Sequence, residues 1–158
     1  NFKITKEYIQ NYNTYLQFSI KGLTIKTEKE RINWINPNFK YVESLKMNYN
    51  NKFLNYILLR QKRLLREYLI YFPEDSYLFD EYRNQYFVMK EALYNRYVSR
   101  YIRKEITNKD IEFSLKPHLL KLHEYYKSTG IKINSKVVSD YFHNLDPKMV
   151  KFIQNHFY

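Results

Sequence analysis

Residues Lys21–Val42 read KGLTIKTEKERINWINPNFKYV, and within them the chain changes its period. From Gly22 to Thr27 apolar and polar residues alternate, which puts Leu23 and Ile25 on one face of a strand. Glu28, Lys29 and Glu30 form a charged turn. Arg31 to Ile35 alternates again, with Ile32 and Trp34 on one face and Arg31, Asn33 and Ile35 on the other. Asn36-Pro37 stops the second strand, and from Asn38 onward the apolar spacing becomes helical. The stretch therefore predicts a hairpin over 22–35 feeding into helices. A lone hairpin is marginal in water. These strands either pack on the helices or belong to a larger sheet that this chain lacks.

Upstream, residues 4–13 fit a short helix with Thr5 as N-cap and Tyr8 and Ile9 buried, and 16–20 fit a strand. Downstream, Phe39, Val42 and Leu45 mark a short helix. Residues 51–72 form one longer helix with a broad apolar face through Phe53, Ile57, Leu64 and Tyr68. Phe72-Pro73 breaks it, and acids enter the next first turn, where the helix dipole favours them. The longest helix runs from Glu74 to about Ile106, with Leu78, Tyr82, Tyr86, Met89, Leu93, Tyr97 and Tyr101 at spacings of three and four. Ser114 is placed to cap the next helix, with Pro117 in its first turns, Gly130 beyond its end, and Leu119, Leu120, Leu122 and Tyr126 as its core. Ser135 starts another, and Asp146-Pro147 opens the last. The fold class is mainly α: a helical bundle of about six helices with a small N-terminal β-hairpin. Residues 1–37 form the end or remnant of a sheet, and 38–158 form a helical domain. No internal repeat or linker interrupts them.

The chain has 158 residues, 44% of them apolar, which is enough for a core in one domain's length. Only 2 Gly and 4 Pro leave few breakers, which favours long helices. The 18 Tyr, with abundant Asn, Lys and Ile, match an AT-rich coding sequence, so part of the Tyr excess follows from codon usage. The net charge of +11 suits a polyanion such as nucleic acid. That charge would also suit an anionic membrane surface, but no apolar run reaches a membrane span and the apolar faces are taken up by a core, so no membrane partner is expected. NFKITKEYIQ has no apolar h-region and no initiator Met, as in a domain cut from a longer protein. Without Cys there is no disulfide framework and no thiolate chemistry.

Enzymatic and metal patterns are weak. His118 and His123 are five apart, off a common helix face, and no HExxH accompanies them. Neither glycine lies in a phosphate loop. Asp80 and Glu81 are adjacent and diverge on a helix, as a solvated face would have them. No metal ligand and no catalytic residue is assigned. The basic residues say more. In RQKRLLR, Arg60, Arg63 and Arg66 recur every third position; in RYVSRYIRK, Arg96, Arg100 and Arg103 share a face, with Lys104 beside them and Tyr97 and Tyr101 adjacent. Guanidinium forks grip phosphates and tyrosines stack on bases. The same tyrosines also continue the apolar stripe, so a core role competes with stacking.

KGLTI, then ERINWINPNFKYV, then YILLRQKRLLREYLIYFPE resembles the end of a nucleotidyltransferase domain running into a helical C-terminal domain, as in the RNA ligases of large DNA viruses. The likeness continues through YFPEDSYLFDEYRNQY, NRYVSRYIRKE, KPHLLKLHEYY and KVVSDYFHNLDP, and so spans most of the chain. The resemblance implies an RNA-recognising tail, for instance for a structured RNA such as tRNA. It also implies an upstream ligase domain that uses ATP and magnesium, and a cytoplasmic setting, the viral factory if the source is a virus. It further implies that Arg31 stays near a phosphate. The departures matter. The family's Lys-x-Asp/Glu-Gly motif is absent, Lys21 stands where an acidic residue precedes the glycine, and Asn33 occupies the place of a phosphate-facing lysine. An amide cannot replace that charge in phosphoryl transfer. The chain is either a ligase's helical tail with a fragment of the sheet, or part of a protein whose ligase half has degenerated. Either way no catalysis, and no cofactor, is expected of this chain alone.

Two other readings compete. One is a protein-interaction or scaffold domain with an aromatic groove between helices and incidental charge. The other is a DNA-binding helix-turn-helix in the short helices after Gly130, against which stands the lack of a tight Gly turn. Convergence of the two arginine clusters favours nucleic acid; divergence favours the scaffold.

Overall fold

The computed structural model describes residues 18–26, 30–47 and 49–157. The helix expected over 4–13 lies outside them. Of the strand expected over 16–20, Phe18 and Ser19 are in a turn and Ile20 is outside any strand. The chain divides between Asn50 and Asn51 into two compact units.

The first unit holds the hairpin. β1 (Gly22–Lys26) pairs antiparallel with β2 (Arg31–Ile35), Leu23 opposite Trp34 and Ile25 opposite Ile32. These pairs share one face, as the alternation predicted. The other face carries Thr24 hydrogen-bonded to Asn33 (3.0 Å) and Lys26 directly opposite Arg31. Gly22 is dictated by close approach: a Cβ there would sit 2.1 Å from the Trp34 carbonyl oxygen. Asn36 then joins hairpin to helix. It is fully buried, its backbone N–H donates to Lys21 O (2.9 Å), and its side-chain amide donates to Ile20 O (2.9 Å). Its Oδ1 accepts from Asn38 N (3.0 Å), capping α1 (Pro37–Leu45) with Pro37 at the first helical position.

The second unit is helical throughout. α2 (Lys52–Gln61) is capped by Asn51, whose Oδ1 accepts from Leu54 N. The single helix expected over 51–72 is broken in two, because α2 ends at Gln61 with Lys62 as its C-cap and α3 (Leu65–Tyr71) begins after Leu64. The break is a Schellman turn. Leu64 N bonds Leu59 O (2.8 Å), Arg63 N bonds Arg60 O (3.1 Å), and Arg63 takes the left-handed φ of 61° that a glycine normally supplies. A 3-10 turn at Pro73–Asp75 leads into α4 (Ser76–Tyr97), the longest helix, which continues as a π turn over Val98–Ile102. Helix therefore stops short of the expected Ile106: Arg103 N bonds Val98 O, Glu105 N bonds Ser99 O, and Lys104 sits at φ 60°.

α5 (Lys116–Thr129) ends on Gly130 at φ 72°. Leu115, not Ser114, stands at its N-cap, and Ser114 is buried. Leu119 and Leu122 are core, but Leu120 and Tyr126, expected beside them, are exposed. α6 (Ser135–His143) starts at Ser135 as expected, capped by Asn134, and α7 (Pro147–Phe157) follows Asp146, whose Oδ1 accepts from Lys148 N. The described residues thus contain seven α-helices and one two-stranded sheet, mainly α with a hairpin.

α4 is the spine, touching α2, α5, α6 and α7. Aromatic edges seal it: Phe53 against Tyr82 (5.1 Å), Tyr56 against Phe79 (5.4 Å) and Tyr86 against Phe142 (4.9 Å). Met89, Leu93, Leu115, Val138, Phe142, Val150 and Ile153 fill the centre. Gln61 ties the α6–α7 turn to the end of α2, donating to His143 O and Leu145 O. One buried carboxylate, Asp75, joins three elements. It accepts from Lys52 Nζ (2.5 Å) at the start of α2 and from the Tyr68 hydroxyl (2.5 Å) in α3.

Candidate nucleic-acid interface

The two basic clusters meet different fates. Arg60 is drawn into the core. Its guanidinium lies 4.4 Å over the Tyr86 ring and donates to the Tyr56 hydroxyl (3.3 Å). Arg63 and Arg66 are exposed around the α2–α3 break, and their guanidinium groups have no hydrogen-bond or ion-pair partner among the described residues. In the second cluster, Arg96 is held by Glu112 in a two-pronged pair, Nε to Oε2 at 3.0 Å and Nη2 to Oε1 at 2.7 Å. The hydrogen bonds from Arg96 outweigh burial and hold the Glu112 carboxyl below its ordinary range, and they raise Arg96 in turn. That clamp fastens the segment before α5 onto the end of α4. Arg60 and Arg96 therefore each have part of their donor set engaged within the fold. Arg96 also lies about 15 Å from the level of Tyr86 by helical rise, so the structure does not bring it to Arg60.

The π turn reorganises the remainder. Its i→i+5 bonding, with Arg103 N on Val98 O, winds this segment more loosely than the α-helix on which the shared face was expected. Arg100 reaches Asn108 Oδ1 (3.1 Å). Arg103 is open to solvent, with Glu105 only a loose neighbour at 3.9 Å. Lys104 stands exposed on the turn itself.

The same turn presents Tyr101 to α5, and here the structure adds residues that sequence spacing did not identify. Tyr101 stacks on His123 at 3.9 Å and 11°. Tyr97, by contrast, is buried and sends its hydroxyl to within 3.4 Å of His123 Nδ1, so of the two tyrosines one is core and one is platform. Tyr126, exposed, lies 6.0 Å beyond His123. Burial first, then Lys127 and Arg100, lowers the His123 pKa, so the imidazole is neutral at pH 7. The arrangement is an aromatic ridge of Tyr101, His123 and Tyr126 edged by Arg100 and Lys127. The signal for it, LHEYYK in α5, was legible only as core spacing.

In the first unit, Arg31 faces Lys26 across the hairpin. Like charges directly opposite repel, and an anion between them would relieve that. No group of three His, Asp or Glu among the described residues is placed to hold a metal ion. No described helix is long and apolar enough to cross a membrane. Comparison with protein-family models, curated proteins and solved structures finds no match.

Proposed function

We propose that the helical unit is an RNA-binding module, the tail of an RNA ligase-like protein, with no catalysis of its own. The observation that supports it best is the ridge of Tyr101 and His123 edged by Arg100 and Lys127. A stacked platform beside cations is what an unpaired base and its phosphate require. Arg103 and Lys104 at the same helix end extend the charge, and Arg63 and Arg66 offer a second exposed basic site. Arg31 with Lys26 would take a phosphate on the hairpin. A neutral imidazole can stack without repelling the neighbouring cations.

The test is fluorescence anisotropy with labelled single-stranded and structured RNA, tRNA included, over a salt series. Roughly four phosphate contacts give a slope of log K against log salt near −3 for a single strand. Tyr101→Ala should weaken binding about tenfold or more, within the about 1–3 kcal/mol range of a stacked base. Salt-independent binding, or none to any RNA, refutes the proposal. Incubation with labelled ATP and magnesium should yield no protein–AMP adduct.

A scaffold role remains the second reading. Tyr77 at 84% and Ile70 at 69% exposure give it a specific observation, since large apolar side chains so open to solvent often meet a protein partner.

A further inference from the structure

On the side of α5 away from His123, α5 and α6 enclose a cleft of about 430 Å³, within the size range of small-ligand sites. Leu122 and Val137 give it an apolar lining and Tyr125 an aromatic one. Lys121, Asp140 and Tyr141 bring polar groups to it. Neither the Lys121 ammonium nor the Asp140 carboxylate has a hydrogen-bond or ion-pair partner among the described residues.

Tyr141 is oriented from behind. His118 is buried, its Nδ1 is 2.8 Å from the Tyr141 hydroxyl, and its Nε2 has no partner. Burial, helped by Lys121, keeps the imidazole neutral, so one nitrogen carries one proton. A proton on Nε2 would be a buried N–H with nothing to receive it, the rarer and costlier arrangement. The proton therefore belongs on Nδ1, which donates to the Tyr141 oxygen and leaves the phenolic hydrogen free for another acceptor. Burial pushes the Tyr141 phenol up to about 12, so that hydrogen is retained at neutral pH.

The residues lining the cleft thus include a carboxylate acceptor and two donors, a hydroxyl and an ammonium, beside apolar and aromatic side chains. Guanine is the base whose pairing edge complements this. Its N1–H and N2–H are neighbouring donors for the two carboxylate oxygens, and its O6 accepts from the hydroxyl or the ammonium. Uracil would turn carbonyls toward the carboxylate. Adenine and cytosine each bring one amino donor beside a bare ring nitrogen. We propose that the α5–α6 cleft captures an unstacked guanine, with Asp140 on its N–H edge, Tyr141 and Lys121 on O6, and Tyr125 against the ring. This deepens the RNA-binding reading and rests on it for the ligand class: the RNA would present a guanine in a loop or at an end.

Equilibrium dialysis of the full chain with GMP, AMP, CMP and UMP tests it, together with anisotropy on hexamer RNAs with and without one guanine. GMP should bind at least tenfold tighter than the other three. Asp140→Asn, an exposed position, should abolish that preference with helical content unchanged. Tyr141→Phe should weaken GMP several-fold, and Val137→Trp should block it. Equal affinity for the four nucleotides, or a preference that survives Asp140→Asn, overturns the proposal. Salt-dependent RNA binding indifferent to guanine sinks the cleft alone. A GMP preference lost in Asp140→Asn, without RNA binding, upholds the cleft and sinks the RNA reading.

Discussion

Replacing Asp75 by Ala removes the acceptor shared by α2 and α3, and its cost can be built from the contacts. Tyr68 is only 3% exposed, so its hydroxyl would lose its acceptor inside the fold, about 1–3 kcal/mol. The Lys52 side chain is half open to water, so its share is that of a screened pair, about 0–1 kcal/mol. The sum is about 1–4 kcal/mol. Tyr68→Phe alone leaves the carboxylate its lysine and should cost about 1 kcal/mol. The two sites share one interaction, so their effects should not add. Removing the orphaned hydroxyl in the Asp75→Ala background should restore stability. Urea unfolding followed by far-UV ellipticity measures all three variants. A double variant less stable than Asp75→Ala by itself would refute the reasoning, as would an Asp75→Ala cost below about 0.5 kcal/mol.

Gly22→Ala forces a Cβ onto the Trp34 carbonyl and should disrupt the hairpin. Trp34 is the only tryptophan, so an emission shift with helical ellipticity preserved reports it, and unchanged emission contradicts it. Arg63→Gly relieves a left-handed residue costing about 1–2 kcal/mol. Glycine gives back about 0.5–1 kcal/mol in chain entropy, so unfolding should show a net gain of about 0–1.5 kcal/mol, with weaker RNA binding. His118 and His123 both titrate lower in the fold, mainly through burial. Protons then favour the unfolded chain: stability is fully present above pH 6.5 and is lost as pH falls through the folded values. His118→Asn should flatten that loss in pH-dependent melting, and an unchanged profile assigns it elsewhere.

The hairpin was legible because period-two alternation and Asn36-Pro37 are local signals. The helical class was legible because breakers are scarce. The break at Lys62–Leu64 was not, since it uses a Schellman turn with arginine where a glycine would have announced it. The π turn likewise carries no compositional mark. At the interface, the sequence displayed every cation but not its surroundings. Arg60 meets Tyr86 on another helix and Arg96 meets Glu112 beyond the π turn, both contacts that spacing within one helix cannot disclose. His123 was visible, but its stacking depends on Tyr101 arriving from the π turn.

Asn36 gives the N-terminal unit a common fate. The same side chain and backbone close the hairpin's open end on Ile20 and Lys21 and begin α1 through Asn38. Neither element can open without releasing the other's bonds. Amide hydrogens of the strand pair and of the first α1 turn should therefore exchange with solvent in one concerted event, a single folding quantum hinged on one asparagine.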